Sequence, residues 1–262
     1  MTTPATHHAI GVTSGLDAQV AAAFAARCAA LGYDSLWAND DPMAPGLEEL
    51  AHLAAGAPEL DLGVGVLPVD RYPPAKIVAE VDRLGLDPAR LWIGIGSGRL
   101  RPALQPVRDA VAELRELLPS PSRIMVGTMR PRLSRLGGEV GDGVLLNWML
   151  PAQAQRARRW VQDGAAAAGR AAPTAALYIR VAVGPGAGQR LQHEEGRYRG
   201  FDAEHFAAMN VPLGSVGVAG SDRTEVVEQL ASYRPAVDLP IVRVLAERDL
   251  ASLCAVAEAA AP

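Results

Sequence analysis

Lysine is almost absent from this chain. Of its 25 basic residues, 24 are arginine and only Lys76 is lysine, and 29 acidic residues bring the formal net charge to -4 at pH 7. A protein that binds nucleic acid needs a basic field, and one that adheres to an acidic membrane surface needs a basic patch. The composition therefore predicts neither a nucleic-acid partner nor a membrane partner.

Cysteine and long apolar runs are scarce too. The two cysteines, Cys28 and Cys254, lie within helical patterns near opposite ends of the chain, and no cysteine or histidine spacing is typical of a metal site. We expect two reduced thiols and no metal. No run reaches the roughly 18 apolar residues of a membrane span, and residues 1–10 lack a signal-peptide pattern. We therefore expect a cytoplasmic protein.

Apolar runs that alternate with helical patterns fill the rest of the chain. With 262 residues, 49% of them hydrophobic, the chain can build one sizeable core, and no compositional break marks a linker. Eight apolar runs predict strands, at residues 8–13, 33–38, 62–67, 91–95, 124–126, 144–146, 176–183 and 241–245. Alternation of this kind predicts parallel strands, and eight units close a (β/α)₈ TIM barrel. An open, doubly wound sheet is the alternative.

The predicted barrel occupies residues 1–262 as a single domain. Only residues 184–220 depart from the alternation, and they are too long for an ordinary loop. We expect an irregular excursion over one end of the barrel there.

The clearest unit of the pattern spans residues 123–151. One apolar run ends at Gly127 and Thr128, a helical stretch begins at Pro131, and a second apolar run ends at Asn147 and Trp148. Parallel strands need a crossover between them, so the stretch predicts a βαβ unit whose two polar strand ends point the same way.

Polar residues end most of the predicted strands. In a barrel the active site lies at the C-terminal ends of the strands, so these residues are the candidates for chemistry. They are Ser14, Asn39, Asp40, Asp41, Ser97, Arg99, Thr128, Asn147 and Trp148. Each alone has a simpler interpretation, because Asn, Asp and Ser also end strands as turn formers. The loop at residues 94–98 reads G-x-G-x-G, which differs from the dinucleotide-binding fingerprint.

Four segments carry a family resemblance. They are LGYDSLWANDDP at residues 31–42, LGVGVLPVDRYPPAKIVAEVDRL at 62–84, WIGIGSGR at 92–99, and GEVGDGVLLNW at 138–148 with Pro151 after it. Together they resemble the bacterial-luciferase-like flavin or deazaflavin oxidoreductases, especially the actinobacterial branch that uses coenzyme F420, an 8-hydroxy-5-deazaflavin. The chain resembles a shortened member, because only residues 119–123 separate the fourth helix from the fifth strand.

The resemblance implies a function and a cofactor. It implies a coenzyme F420-dependent oxidoreductase that transfers a hydride between the deazaflavin and a small organic substrate, acting as a homodimer that pairs through the second and third helices. Two alternatives stay open: an FMN-dependent monooxygenase of the same family, and a non-catalytic member that binds a flavin. The shortening favours an open site or the non-catalytic alternative.

The resemblance also implies the residues of the site. The cofactor-binding set is Ser14, Asn39, Asp40, Gly65, Val66, Ser97, Gly98, Gly127, Thr128, Arg130, Asn147 and Trp148. In deazaflavin-dependent relatives the third strand bulges through a non-proline cis peptide behind the ring, and Gly65-Val66 is the matching bond.

Three residues are the catalytic candidates: Asp40, Asp41 and Arg99. Asp40 matches the Asp that ends the second strand in the family. Asp41 stands where the family usually has His, and Arg99 stands where some relatives have an acidic Glu. An aspartate and an arginine more naturally form an ion pair or an anion site than a proton shuttle near neutral pH.

Overall fold

The computed structural model describes residues 7–119 and 121–262. Nine strands run through this part of the chain. They are β1 Ala9–Thr13, β2 Ser35–Asn39, β3 Asp61–Pro68, β4 Leu91–Gly96, β5 Arg123–Thr128, β6 Gly143–Asn147, β7 Thr174–Val183, β8 Val218–Gly220 and β9 Leu239–Val244.

Eight of the strands close a parallel barrel. The first seven pair in chain order, β7 pairs β9, and β9 returns to β1. The (β/α)₈ prediction is confirmed, and a doubly wound sheet with two open edges is excluded by the pairing of β9 with β1.

Strand β8, which is not one of the eight barrel strands, was not predicted from the sequence. Val181 of β7 pairs Val218 on one side and Val244 of β9 on the other, so β8 extends the sheet beyond the end of β6. A strand of three residues is too short to show the alternation of apolar and polar residues by which strands are recognised.

Ten helices surround the barrel in the described residues. They are α1 Ala18–Ala30, α2 Gly46–Gly56, α3 Pro74–Arg83, α4 Leu104–Leu117, α5 Pro131–Val140, α6 Pro151–Ala167, α7 Ala187–Phe201, α8 Ala203–Ala207, α9 Arg223–Ala231 and α10 Leu250–Ala260. A 3₁₀ turn at Pro88–Arg90 precedes β4. Local chemistry sets several helix starts, because Asp17, Asp222 and Asp249 accept hydrogen bonds from the free N–H groups of the first turns of α1, α9 and α10.

The interior of the barrel is packed around aromatic side chains. Trp37 and Tyr178 lie edge to face there, with ring centroids 6.1 Å apart, and both are buried. Gly63 of β3 is required beside them, because a Cβ atom at this position would lie 2.2 Å from the Trp37 ring. The middle of the barrel is therefore filled by side chains, which leaves the C-terminal strand ends to form a site.

Residues 184–220 fold into α7, α8 and β8. Trp148, Phe206 and Val216 form a separate apolar cluster there, with Tyr198 of α7 packed against it. This segment, which we call the α7–α8 segment, therefore lies against the end of β6.

No helix within residues 7–119 and 121–262 has the length and apolar character needed to cross a membrane. Cys28 is buried, Cys254 is half-buried, and both are free thiols.

Candidate active site

The C-terminal ends of β1, β2, β3 and β9 are joined by the side chain of Arg243. Its guanidinium donates to the Oδ1 atom of Asn39 and to the hydroxyl of Thr13, and its Nη1 donates to the carbonyl of Val244 at 2.6 Å. The Nδ2 atom of Asn39 in turn donates to the carbonyl of Gly65 at 3.2 Å. Asn39 is thus oriented by a buried cation on one side and by the β3 backbone on the other.

A second arginine lies beside the first at this end of the barrel, which we call the mouth, because Arg180 of β7 is the register partner of Arg243 of β9. Arg180 of β7 donates through Nη1 to the Oδ1 atom of Asn147 at the end of β6. Its guanidinium carbon lies 3.9 Å from the ring centroid of Trp148 and 5.1 Å from that of Tyr198. The cation therefore lies against two aromatic side chains that also contact each other, one from the β6 end and one from α7.

Both arginines are buried, with 1% of Arg180 and 3% of Arg243 exposed. Burial lowers the pKa of Arg180 to about 10 and also lowers the pKa of Arg243, and the charge of Arg243 lowers the pKa of Arg180 further. Both remain charged at neutral pH. Glu194 of α7 is the nearest carboxylate, 3.9 Å from Arg243. The mouth therefore carries an excess of buried positive charge.

Sequence reasoning missed these two residues. Each stands inside an apolar strand, between Ile179 and Val181 in one case and between Val242 and Val244 in the other. A charged residue in the middle of a strand that is buried on both faces was the available signal, because such a residue needs a compensating partner or a function.

The bond between Gly65 and Val66 is cis, as predicted, and the pairing of β3 with β4 shifts register between Val64 and Leu67. The side chain of Val66 rests on two glycines of the neighbouring strands. A Cβ atom on Gly96 or on Gly127 would lie 2.5 Å from a methyl group of Val66. We call these three residues, Val66, Gly96 and Gly127, the platform: three adjacent strand ends that present one half-buried valine and no other side chain of their own.

The carboxylate of Asp40 is engaged in structural contacts. It accepts from Arg71, from the Tyr72 hydroxyl at 3.1 Å and from the N–H of Gly46 at 3.0 Å. Its side chain is inaccessible, and burial raises its pKa while these three donors lower it. The contacts favour a role in holding the loops after β2 and β3 together.

The other two catalytic candidates lie apart from each other. Asp41 accepts from the N–H of Met43 at 2.9 Å, and Arg99 has an exposed side chain. No ion pair joins them in the part of the chain that the structure describes. Gly98 has φ +55°, and a Cβ there would lie 2.0 Å from the carboxylate of Asp70, which accepts from the Arg99 N–H at 2.9 Å. The loop of Ser97 and Gly98 is thus held on Asp70.

Three further predicted cofactor ligands use their polar atoms within the protein. The Ser14 hydroxyl donates to the carbonyl of Ala44 at 2.5 Å. The Thr128 hydroxyl accepts from the N–H of Arg130 at 3.1 Å. The Arg130 guanidinium pairs with Asp202 at 2.8 Å, across the start of α8. It also lines a cavity of about 170 Å³ beside the starts of α5 and α6.

Trp148 adopts a left-handed backbone with φ +50°, which is uncommon for a residue other than glycine. Its carbonyl lies 2.6 Å from Nε2 of the buried His205 in α8. The α7–α8 segment is therefore fastened to the end of β6 by a polar contact as well as by aromatic packing.

The structure thus brings part of the predicted set together. Asn39, Gly65, Val66, Gly127 and Asn147 surround the mouth beside the two arginines, whereas Ser14, Asp40 and Thr128 bond mainly to nearby loops. Among the described residues, no cluster of three or more His, Cys, Asp or Glu side chains is arranged to hold a metal ion.

Comparison with known proteins extends the description of the fold. No family model matches the chain. An F420-dependent secondary alcohol dehydrogenase, solved with an F420-acetone adduct, superposes with a TM-score of 0.76 at 15% identity, over 97% of this chain and 99% of that chain. The coenzyme F420-dependent tetrahydromethanopterin reductase of Methanopyrus kandleri gives 0.71 at 15% identity, with 97% of each chain covered.

A flavin-binding enzyme has a similar fold. The oxygenating constituent of 3,6-diketocamphane monooxygenase from Pseudomonas putida, a type II Baeyer-Villiger monooxygenase in complex with FMN, gives a TM-score of 0.65 at 15% identity, over 97% of this chain and 98% of that chain. At these identities the likeness is one of fold. The chain shares the (β/α)₈ fold of these oxidoreductases over nearly its whole length.

Proposed function

We propose that this protein is a luciferase-like oxidoreductase that transfers a hydride between coenzyme F420 and a small organic substrate. The observation that carries the proposal is the platform: at the ends of β3, β4 and β5, Val66 lies on Gly96 and Gly127 with contacts that leave no room for a Cβ atom on either glycine. Three neighbouring positions whose only side chain is one valine suit one face of a planar ring.

The residues around the platform suit the rest of such a ring. The side-chain amides of Asn39 and Asn147 are oriented by the two buried arginines, so they are fixed donors and acceptors for ring heteroatoms. Positive charge near the ring favours its electron-rich state. When bound, the deazaflavin would supply the carbon that gives or accepts the hydride, and the protein would orient it and exclude water.

The roles of the remaining candidates follow from their positions. Ser97 and Gly98 lie on the loop after β4, Thr128 is the last residue of β5 and Arg130 follows it, so we assign these four residues to the tail of the cofactor. We assign Asp41 and Arg99 to the rim of the substrate opening, because both side chains are at least partly accessible. Ser14 and Asp40 would support the site from behind, through the loops that they hold.

A titration of the purified protein tests the proposal. Coenzyme F420 and FMN are added separately, and binding is followed by the quenching of cofactor fluorescence. We expect F420 to bind at micromolar concentration and its reduced form to be oxidised by a carbonyl compound without oxygen. Preferential binding of FMN with oxygen-dependent turnover would replace the assignment by the monooxygenase alternative. Binding of either cofactor without turnover over a broad substrate panel would favour the non-catalytic alternative.

A further inference from the structure

Arg180 is a charged residue of the barrel mouth whose hydrogen-bonding capacity is mostly unused within the described structure, and the indole Nε1 of the adjacent Trp148 is also buried without a partner. Only Nη1 has a partner with good hydrogen-bond geometry, the Oδ1 atom of Asn147, while burial lowers the pKa of the guanidinium and the nearby Tyr198 hydroxyl raises it. Nε and Nη2 are both buried, and neither has a hydrogen-bond partner among the described residues. Burying a polar group without a hydrogen-bond partner costs free energy, and burying an unpaired cation costs more. We therefore expect a ligand to pair with these two atoms.

The two unpaired atoms form one edge of the guanidinium. Nε–H and Nη2–H point the same way, and this edge binds the two oxygens of a carboxylate side by side. The same edge meets acidic side chains elsewhere in this molecule. Nε and Nη2 of Arg83 both donate to Oε2 of Glu80, and those of Arg199 both donate to Oε1 of Glu195, so in these pairs one carboxylate oxygen meets both atoms.

The charge around Arg180 favours an anion as well. Arg243 is the other buried cation of the mouth, and the carboxylate nearest to it, Glu194, also pairs with Arg197 at 2.8 Å. One carboxylate shared with an exposed arginine leaves the two buried guanidiniums under-compensated. Arg243 differs from Arg180 because all three of its nitrogens have oxygen partners, so Arg243 supplies charge and Arg180 supplies the unpaired edge.

We propose that Arg180 binds the carboxylate of an organic-acid substrate through Nε and Nη2. The inference deepens the proposed function and rests on it for the identification of the ligand as substrate. Trp148 and Asn147 fix the plane of the guanidinium, so that the carboxylate is held at the β6 and β7 side of the mouth, next to the β5 end of the platform.

Tyr198 controls access to this edge. Its ring lies against both the Arg180 guanidinium and the Trp148 ring, the latter with a centroid distance of 4.9 Å. Because Nε and Nη2 are buried, a ligand reaches them only after a neighbouring side chain moves, and we assign that movement to Tyr198. The last turn of α7 carries the exposed Phe201, which packs edge to face on Tyr198. This turn is the part of the cover that has to shift.

The test is calorimetric titration of the full chain without cofactor, with pyruvate, succinate and benzoate as carboxylates, methyl pyruvate as the uncharged counterpart and inorganic phosphate as a different oxyanion. At least one carboxylate should bind saturably. If pyruvate is that ligand, methyl pyruvate should bind at least tenfold more weakly. Arg180→Met should weaken carboxylate binding at least tenfold, and Arg180→Lys, which keeps the charge without the paired N–H groups, should fall between. Arg159→Met removes an exposed arginine of α6 as the matched control and should bind like wild type.

Three results would overturn the inference: no saturable binding of any carboxylate, equal affinity in wild type and Arg180→Lys, or tighter binding of phosphate than of every carboxylate. Thermal melting of each variant establishes that it is folded, and the lysine variant provides the test if the methionine variant is not. F420 binding is measured separately on the same samples. Its failure would reject the proposed cofactor, while carboxylate binding by Arg180 would stand or fall on its own titration.

Discussion

At the scale of single residues, Asp40 illustrates how a strand-end carboxylate can be occupied by the fold itself. Its three donors come from the start of α2 and from the loop that leads to α3, so one side chain ties two segments to the end of β2. Removing a buried acceptor leaves its donors without partners, which costs more than the net value of the lost bonds.

Asp40→Ala should therefore lower the free energy of unfolding by about 1–3 kcal/mol. Asp41→Ala is the matched control, because Asp41 is half-buried and its side chain accepts from the Met43 N–H. That change should stay within about 0.5 kcal/mol of wild type. Urea unfolding measures both, and equal effects of the two substitutions would contradict the structural role of Asp40.

The buried carboxyl of Glu49 should make the stability of the protein depend on pH. This side chain is 2% exposed, and its Oε2 accepts from the N–H groups of Gly15 at 2.7 Å and Leu16 at 3.0 Å, while Oε1 has no partner among the described residues. Burial raises the pKa of Glu49, and the two backbone donors offset this only in part.

The folded state holds the Glu49 proton more tightly than the unfolded state does, so protonated Glu49 stabilises the fold. This stabilisation is fully present below the ordinary carboxyl pKa and is lost as the pH rises through the raised pKa of Glu49 in the folded state. Glu49→Gln has no such proton. Its stability relative to wild type should therefore improve between about pH 4 and pH 7. Unfolding free energies at several pH values measure this, and a constant difference would show that the pKa of Glu49 is not raised.

For single residues, the sequence predicted a local backbone feature correctly. It did not predict contacts between side chains that are far apart in the sequence. The two glycines of β3 and the family resemblance predicted the Gly65-Val66 bulge. The network of Arg243 with Thr13 and Asn39 joins residues that are 230 and 204 positions apart, and only the closed barrel brings them together.

At the scale of elements, the α7–α8 segment is the least predictable part and the part that covers the site. Its anchor is Glu195, which is completely buried and accepts from Arg199 of the same helix and from the N–H groups of Gly214 and Val216, both at 3.0 Å. One carboxylate thus connects α7 to the chain that enters β8. Sequence periodicity did not reveal this, because the contacts are made to irregular backbone.

Glu195→Leu should release this segment without unfolding the barrel. The N–H groups of Gly214 and Val216 lose their buried acceptor, and hydrogen exchange at residues 202–217 should speed up at least tenfold, while the amides of β1 to β6 stay protected. Glu228→Leu, an exposed acidic position on α9, is the control. Uniform loss of protection across the barrel would instead mean that the segment folds together with the core.

At the scale of the whole molecule, the alternation of apolar runs and helical patterns was sufficient for the fold. Each barrel strand is buried on both faces and ends in turn-forming residues, so all eight were visible as runs. The strand order and closure then follow from the right-handed crossovers that parallel strands require. The site was less predictable, because which strand-end side chains face inward depends on register.

The resemblance to the luciferase-like family also leads us to propose a homodimer that pairs through α2 and α3. Ala75 and Ala79 of α3 are exposed, and small side chains allow close helix approach. Light scattering at micromolar concentration should give a mass near twice the 27.5 kDa of the chain. A mass of one chain would reject the dimer and leave the site assignment intact.

The affinity of Gly127→Val for coenzyme F420 shows whether the platform receives the ring of that cofactor. A Cβ atom at Gly127 would lie 2.5 Å from Val66, so the substitution displaces the valine and puts a side chain on the surface proposed for the ring. Gly188→Val in α7 is the control, because a Cβ atom there meets nothing within 4 Å. We predict that wild type and Gly188→Val bind F420 alike and that Gly127→Val, still folded, binds at least tenfold more weakly. Unchanged affinity in Gly127→Val, or no binding of F420 to wild type, would contradict the account.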